Sequence, residues 1–137
     1  MQNRQQHHVA RRVTLHPRGL QQVNDRIAIP MHNRILILET KDILFLKADS
    51  NYTHIHSVQG RHVIASCTLK HFERAFRPPA FLRVHKSYII QTSAIREYMT
   101  GEGCLILTDG SILPVSRSRK DLLLRYLSRL MLNQDEG

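Results

Sequence analysis

Three short polar segments interrupt a sequence that is otherwise a series of short apolar runs. They are residues 49–53 (DSNYT), 83–88 (RVHKSY) and 114–120 (PVSRSRK). Lys and Arg match the O6 and N7 acceptors of guanine, Asn and Thr can serve other base edges, and Ser, Tyr and His can hold phosphate oxygens. Each segment lies at the junction of two predicted secondary-structure elements, where binding residues are usually found. Together they predict contacts to duplex DNA, although any one of them alone is more typical of a solvated loop.

Histidine is the other residue type with chemical potential, since the chain contains nine. His54 and His56 would point to the same side of a strand, as two metal ligands would. The sequence offers no third ligand at a typical spacing, so it predicts neither a metal site nor a cofactor. No nucleophile pattern or carboxylate orienter accompanies His85. We therefore expect His85 to be a neutral imidazole that donates to a DNA phosphate, and we do not expect an enzyme.

The charge of the chain favours a polyanionic partner. Twenty Lys and Arg oppose eleven Asp and Glu, a formal net charge of +9 over 137 residues. Residues 25–132 hold sixteen of these cations and nine of the anions, so the basic excess extends to the folded part. Such a balance suits nucleic acid or an anionic membrane surface, with an inert basic surface as the alternative.

Nothing in the sequence predicts membrane insertion or export. Apolar runs such as residues 35–38 are far shorter than the roughly 20 residues of a spanning helix. The N-terminus lacks the apolar region of a secretory signal, so we expect a cytoplasmic protein. In that compartment Cys67 and Cys104, which have no metal-like spacing, are expected to be reduced thiols.

The chain divides into three parts. Residues 1–24 contain four Arg, three His and no acidic residue, which predicts a basic, flexible N-terminal arm. This arm could follow a minor groove or remain a weakly contacting tail. Residues 25–132 are predicted to form one domain, and residues 133–137 a short C-terminal tail.

Short strands should carry the polar segments. The apolar runs 34–39 and 43–46 predict strands buried on both faces or against a partner sheet. Residues 52–58 and 61–66 predict a hairpin around Gln59-Gly60. A second hairpin is predicted at residues 104–115, where Asp109-Gly110 favours a type I′ turn.

Two segments have a helical period. Residues 66–76 predict an amphipathic helix that ends before Pro78. Residues 118–132 predict a terminal helix with a capping-box-like start at Ser118 and Asp121. This helix is expected to cover its own domain, with dimerisation as the alternative. The apolar stripes are Leu69, Phe72, Ala75 and Phe76 in the first helix, and Leu123, Leu127, Leu130 and Met131 in the second.

In this order, the segments resemble the LytTR family of bacterial DNA-binding domains. The resemblance runs from about Ile27 to Leu127 and is carried by ADSNYTHIH, FLRVHKSYII and LPVSRSRKDLL, at residues 48–56, 81–90 and 113–123. It implies a mainly β fold with minor α: an elongated stack of short antiparallel β-sheets, with one short internal helix and a C-terminal helix. It also implies a transcription regulator whose loops enter successive major grooves of double-stranded DNA.

The resemblance assigns roles to individual residues by motif. The base-contacting positions become Thr53, Lys86 and Arg117, and we expect them to line up along one positively charged edge. A shift of register by one residue around Tyr52 and His54 stays open. The residues expected on phosphate or in support are Asn51, Arg83, His85, Ser87, Ser116 and Arg119.

The resemblance also implies partners. Promoter or operator DNA with repeated sites would suit a homodimer. Many family members carry a receiver domain, and residues 1–24 are too few to form one, so we expect a stand-alone regulator or one signalled by a separate protein. The alternative function is a single-stranded DNA or RNA module that stacks bases on Tyr52 and Tyr88. Against it, the chain has no Trp, and core packing of both rings is the competing expectation.

Overall fold

Ten short strands and two helices make up residues 25–131, the part of the chain that the computed structural model describes. The predicted N-terminal arm and C-terminal tail lie outside these residues. The helices are α1 (Leu69–Ala75) and α2 (Arg117–Leu130). The strands are β1 (Arg26–Pro30), β2 (Ile35–Glu39), β3 (Ile43–Asp49), β4 (Tyr52–Ser57), β5 (His62–Ala65), β6 (Phe81–His85), β7 (Tyr88–Gln91), β8 (Ile95–Met99), β9 (Cys104–Leu107) and β10 (Ile112–Pro114).

A five-stranded antiparallel sheet, in the order β5-β4-β3-β7-β6, forms the central layer. In β3 at its middle, Leu46 pairs with Ile55 of β4 on one side and with Ile89 of β7 on the other. The first four residues of β3 are all buried, as expected of a strand covered on both faces. β2 is buried on one face only: Leu38 packs against the central sheet, while Ile35 and Ile37 are exposed. Of the two alternatives expected for this strand, packing against a partner sheet is therefore the one that holds.

Two further layers cover the central sheet. The β1-β2 ribbon and α1 pack on one face, and their side chains form a core with Leu46 and Ile55. The three-stranded sheet β10-β9-β8 and α2 pack on the other face, around Phe45 and Leu82. The mainly β stack of short antiparallel sheets with two helices is therefore confirmed.

The two predicted hairpins form, but the turn at Asp109-Gly110 differs from the expectation. At β9-β10 only Gly110 has a positive φ, +91°, whereas a type I′ turn needs positive φ at both central residues. The Asp109 carboxylate instead accepts the amide and the hydroxyl of Ser111, which holds a wider loop. The type I′ pattern occurs at β4-β5, where Gln59 and Gly60 have φ of +63° and +73° and the Arg61 amide donates to the Val58 carbonyl.

The two helices follow their predicted periods with one correction. In α1, Leu69, Phe72 and the neighbouring Phe76 are buried, as the stripe predicts. In α2 the N-cap is Ser116 rather than Ser118, and no side-chain hydrogen bond forms at this cap, so the capping-box interpretation is wrong. The predicted α2 stripe is buried only in part, since Leu123 is buried while Leu130 and Met131 are 65% and 71% exposed. Neither helix within residues 25–131 is long and apolar enough to cross a membrane.

Both cysteines are free thiols, and the environment of Cys67 changes the reactivity expected of it. Cys67 lies between β5 and α1, where burial raises the pKa of its thiol from 9.0 to about 11. Because the thiolate is the reactive form, this shift leaves little of it at pH 8.

We expect Cys67 to react slowly with iodoacetamide. In a Cys104→Ser variant, the folded protein should react roughly 100-fold more slowly at pH 8 than the same variant unfolded in urea, since two pKa units change the thiolate fraction by about that factor. Stopped time points analysed by mass spectrometry would give both rates. Equal rates in the two states would contradict the burial of this thiol.

Candidate nucleic-acid interface

The first two polar segments meet at one end of the central sheet. We call residues 49–52, which connect β3 to β4 and include the adjoining strand ends, the first loop. Residues 85–88, which connect β6 to β7 in the same way, are the second loop. β7 pairs with β3 up to Tyr88 opposite Lys47, so the two loops leave the sheet side by side. The amide of Ala48 donates to the carbonyl of Ser87 across 2.9 Å. This hydrogen bond fixes the position of one loop relative to the other.

The third polar segment comes from the layer that contains β10 and α2, and it contacts the end of β6 next to the second loop. Residues 114–117, between β10 and α2, form the third loop. The amide of Ser116 donates to the carbonyl of Val84, close to the end of β6, at 2.9 Å. The amide of Val115 donates to Gly103 at the same distance. The fold thus brings together three segments that the sequence separates by more than sixty residues.

Arg83 is a clamp beneath the second loop. Its Nε donates to the carbonyl of His85 at 3.1 Å, and its Nη2 donates to the carbonyl of Lys86. Its Nη1 donates to Oε1 of Glu73 on α1 at 2.8 Å. The side chain is only 16% exposed. Of the two roles expected for Arg83, phosphate contact or support, the structure places it in a supporting position.

Glu73 also lies close to α2, the helix that follows the third loop. Oε2 of Glu73 lies 3.7 Å from Nη1 of Arg119 in the first turn of α2. Glu73 therefore offsets the charge of Arg83 and Arg119 together. The charges of these two cations are thus partly neutralised within the protein.

His85 has a defined ring orientation. The amide of Ser87 donates to its Nδ1 at 3.0 Å, so a neutral ring must carry its proton on Nε2. The ring meets Tyr88 edge to face, with centroids 5.7 Å apart. His85 is thereby set to donate through Nε2, the chemistry that a phosphate oxygen requires.

Lys86 and Arg117 are the exposed cations at the tips of the second and third loops. Neither takes part in a salt bridge with any residue of the described range. Asn51 is also exposed at the tip of the first loop. Ser87 and Ser116 are half-buried, and their backbone groups make the contacts between the loops. The predicted site residues other than Thr53 thus surround one end of the molecule.

Thr53 does not belong to this exposed set. Its side chain is fully buried, and its hydroxyl donates to the carbonyl of Cys67 at 2.8 Å. Thr53 shares the inner face of β4 with Ile55 and Ser57, both buried as well. In this conformation it offers no atom to a base, so the expectation of Thr53 on the outer edge needs correction. The exposed side chains of the first loop are those of Asn51 and Tyr52.

The two tyrosines have different environments. Tyr52 is 51% exposed, so the expectation that it packs in the core is wrong. Tyr88 is half-buried in the second core and tilts against Phe45, with ring centroids 6.1 Å apart. The Lys47 ammonium lies 6.0 Å from the Tyr88 ring centroid. A series of exposed stacking rings, as a single-strand-binding module needs, is not present among the described residues of these loops.

A third histidine joins His54 and His56, contrary to the sequence-based expectation. His62 lies directly opposite His56 in the β4-β5 hairpin. One nitrogen of each of the three rings lies within 4.8 Å of the others. A two-residue turn at Gln59-Gly60 alone would place His62 opposite Ser57, whereas the observed register is shifted by one residue and places His62 opposite His56. The available sequence signal is His62 on the partner strand of the predicted hairpin, because cross-strand neighbours lie within reach of each other.

Comparison with known proteins identifies related sequences. The family model of the LytTr DNA-binding domain matches residues 33–128. The CO-responsive transcriptional regulator RcoM of Rhodospirillum rubrum is 33% identical over 86 residues, 60% of this chain and 36% of that protein. The transcriptional regulatory protein BtsR of Escherichia coli is 31% identical over 102 residues, 72% and 38%. The sensory transduction protein LytT of Bacillus subtilis is 28% identical over 96 residues, 68% and 39%.

The fold also matches a solved structure. A LytTr DNA-binding domain from Bacillus cereus superposes with a TM-score of 0.65 at 18% identity, over 77% of this chain and 98% of the other. At this identity the match supports the fold alone. The chain spans less than two fifths of the length of each curated relative named above.

The clamp geometry of Arg83 predicts that lysine cannot replace it. Arg83→Lys keeps the charge but cannot span two carbonyls and a carboxylate, so it should lower the free energy of unfolding by about 1.5–3 kcal/mol in urea titrations. Arg96→Lys is the matched control, because Arg96 is 52% exposed and its contact with Glu97 is a surface pair worth under about 1 kcal/mol. Equal losses in the two variants would contradict the clamp.

Proposed function

The chain belongs to the LytTR family of DNA-binding domains, and from this premise we propose that it is a transcription regulator that binds specific duplex DNA sequences. In this proposal the first, second and third loops enter the major groove and contact base edges. The relatives RcoM and BtsR are transcriptional regulators by name, which supports the regulatory role.

The observation that carries the proposal is the joining of three loops at one end of the central sheet. Two backbone hydrogen bonds of 2.9 Å, from Ala48 to Ser87 and from Ser116 to Val84, hold the loops in a fixed order. Rigid presentation lowers the entropy lost on binding, so exposed polar groups on such loops can contribute to affinity. The proposed face is cationic and polar, as base and phosphate contacts require.

The proposal keeps two of the base-contacting assignments, Lys86 and Arg117. Lys86 and Arg117 are exposed, and both can donate to guanine O6 and N7. For the first loop the proposal moves from the buried Thr53 to Asn51, whose amide can pair with adenine N6 and N7. His85 is proposed to donate through Nε2 to a phosphate, and Arg119, 35% exposed, to lie near one.

The partners follow from the same proposal. Domains would pair as a homodimer on repeated promoter or operator sites, and a separate signalling protein would supply the signal. The relative LytT is a sensory transduction protein by name, which supports a signalling partner.

Selection from a random duplex library with the full chain would test sequence specificity. We expect one recurring motif, bound on the order of 10³-fold more tightly than a scrambled duplex of equal length. Recovery of no motif, or equal affinity for the scrambled duplex, would overturn sequence-specific binding. Tighter binding of either isolated strand of the selected duplex would favour the single-strand alternative.

Loss of a base-contacting cation should relax specificity at a single position. Lys86→Ala and Arg117→Ala are each expected to cost about 1–3 kcal/mol of binding free energy on the selected duplex and to weaken the preference at one base pair. Fluorescence anisotropy at constant salt would measure both effects.

The control variant is Arg61→Ala. Arg61 is an exposed cation beside the β4-β5 turn, at the opposite end of the central sheet from the three loops. Removing it changes the net charge by the same amount, so it should alter affinity only slightly and equally for all duplexes. If Arg61→Ala matched the effect of Lys86→Ala, a diffuse charge attraction would explain the binding instead.

A further inference from the structure

Three histidines share the outer face of the β4-β5 hairpin. His54 and His56 are two positions apart on β4, so their side chains leave the same face. His56 pairs with His62 of β5, and His54 pairs with Ile64, two residues further along the same strand. The three side chains therefore occupy adjacent corners of the hairpin surface. The buried side chains of β4 point to the opposite face.

The imidazole rings already lie close together. The His56 and His62 ring centroids are 4.4 Å apart, and those of His54 and His62 are 4.9 Å apart, with nearly parallel planes. One nitrogen from each ring lies within 4.8 Å of the others. Tetrahedral Zn–N bonds of about 2.0–2.1 Å place the ligand atoms roughly 3.4 Å apart. Rotation of the side chains is enough to close this difference, since the strand pairing already sets the backbone spacing.

The hydrogen bonds of His54 define which nitrogens can act as ligands. Oδ2 of Asp49 lies 2.8 Å from Nε2 of His54, and a carboxylate can only accept, so Nε2 carries a proton. In a neutral ring Nδ1 of His54 then has a lone pair, which accepts from Nε2 of His62 at 2.8 Å. A metal ion can take the place of the proton between these two nitrogens.

The surroundings of the cluster hold the rings in place. The His56 ring stacks on Phe45 at a centroid distance of 4.4 Å, which backs the cluster with an apolar surface. The Asp49 carboxylate accepts a hydrogen bond from Nε2 of His54, the nitrogen that would not bind the metal. This carboxylate–histidine arrangement orients metal ligands in proteins.

We propose that His54, His56 and His62 form a binding site for a borderline divalent transition-metal ion such as Zn²⁺, with Asp49 as the positioning residue. Imidazole nitrogen is a preferred ligand of such ions, and three of them leave a fourth position for water. The three ligands lie outside the three loops, and only the positioning residue Asp49 is shared with the first loop. The site does not depend on the proposed DNA recognition.

Zn²⁺ competition against a chromogenic chelator tests the site in the full chain. Every protein in the experiment carries His7→Gln and His8→Gln, so that adjacent histidines of the arm do not contribute. We expect this parent to bind one equivalent of Zn²⁺, and His62→Gln to weaken binding by more than about tenfold. His71→Gln is the matched control, because His71 lies on α1 outside the cluster, and it should keep the parent affinity.

Two further measurements keep the result interpretable. Co²⁺ should give the visible absorption of a nitrogen-ligated ion in the parent and not in His62→Gln. Zn²⁺ should raise the melting temperature of the parent by several degrees and that of His62→Gln by much less, since ions bound only to the folded state stabilise it. His62 is exposed, so its replacement leaves the core intact. Equal Zn²⁺ affinity in the parent and His62→Gln would overturn the proposal, as would a parent that binds no Zn²⁺.

Discussion

The pairing of β3 with both β4 and β7 is the constraint on which the rest of the structure depends. Because β3 is central and buried on both faces, its register fixes where the first and second loops emerge. A slip of one residue would turn Leu46 and Ile55 out of their core and exchange the faces of every neighbour. The apolar run that begins at Ile43 therefore positions polar groups that it never touches. The third loop depends on the same strand indirectly, through the core that Phe45 shares with α2 and β9.

The cations around the three loops fall into two groups, which we call the inner and the outer tier. The inner tier consists of Arg83 and Arg119, which share Glu73, and Arg83 also donates to the backbone of the second loop. The outer tier consists of Lys86 and Arg117, which are exposed and without salt bridges among the described residues. A half-buried arginine without Glu73 would be costly, because it would carry an uncompensated charge in a low-dielectric site. Glu73 thus makes it feasible to place several cations at one end of a small domain.

Much of this architecture could be predicted from the sequence, and the failures have physical causes. Apolar patterning located β3, β4, β5 and α1, since burial decides most of those positions, whereas β6 and β7 were implied only by the family resemblance. Turn geometry was harder to predict, because Asp109 satisfies Ser111 with its side chain and so favours a wider loop than Asp-Gly suggests. The prediction that Thr53 is exposed failed for a related reason. Its polarity suggested exposure, but its hydroxyl donates to the carbonyl of Cys67 inside the protein. Local sequence does not reveal such a distant acceptor.

The β4-β5 hairpin shows why the two faces of one strand need separate interpretation. Its inner face carries Thr53 and Ile55 into the core, while its outer face gathers the histidines. Asp49 belongs to the first loop and also accepts the Nε2 proton of His54. The protonation or ligand state of the histidines and the position of the first loop therefore share one carboxylate. Any change that turns the His54 ring must either carry Asp49 with it or break that hydrogen bond, so the outer face of the hairpin is physically coupled to the end of the sheet where the three loops meet.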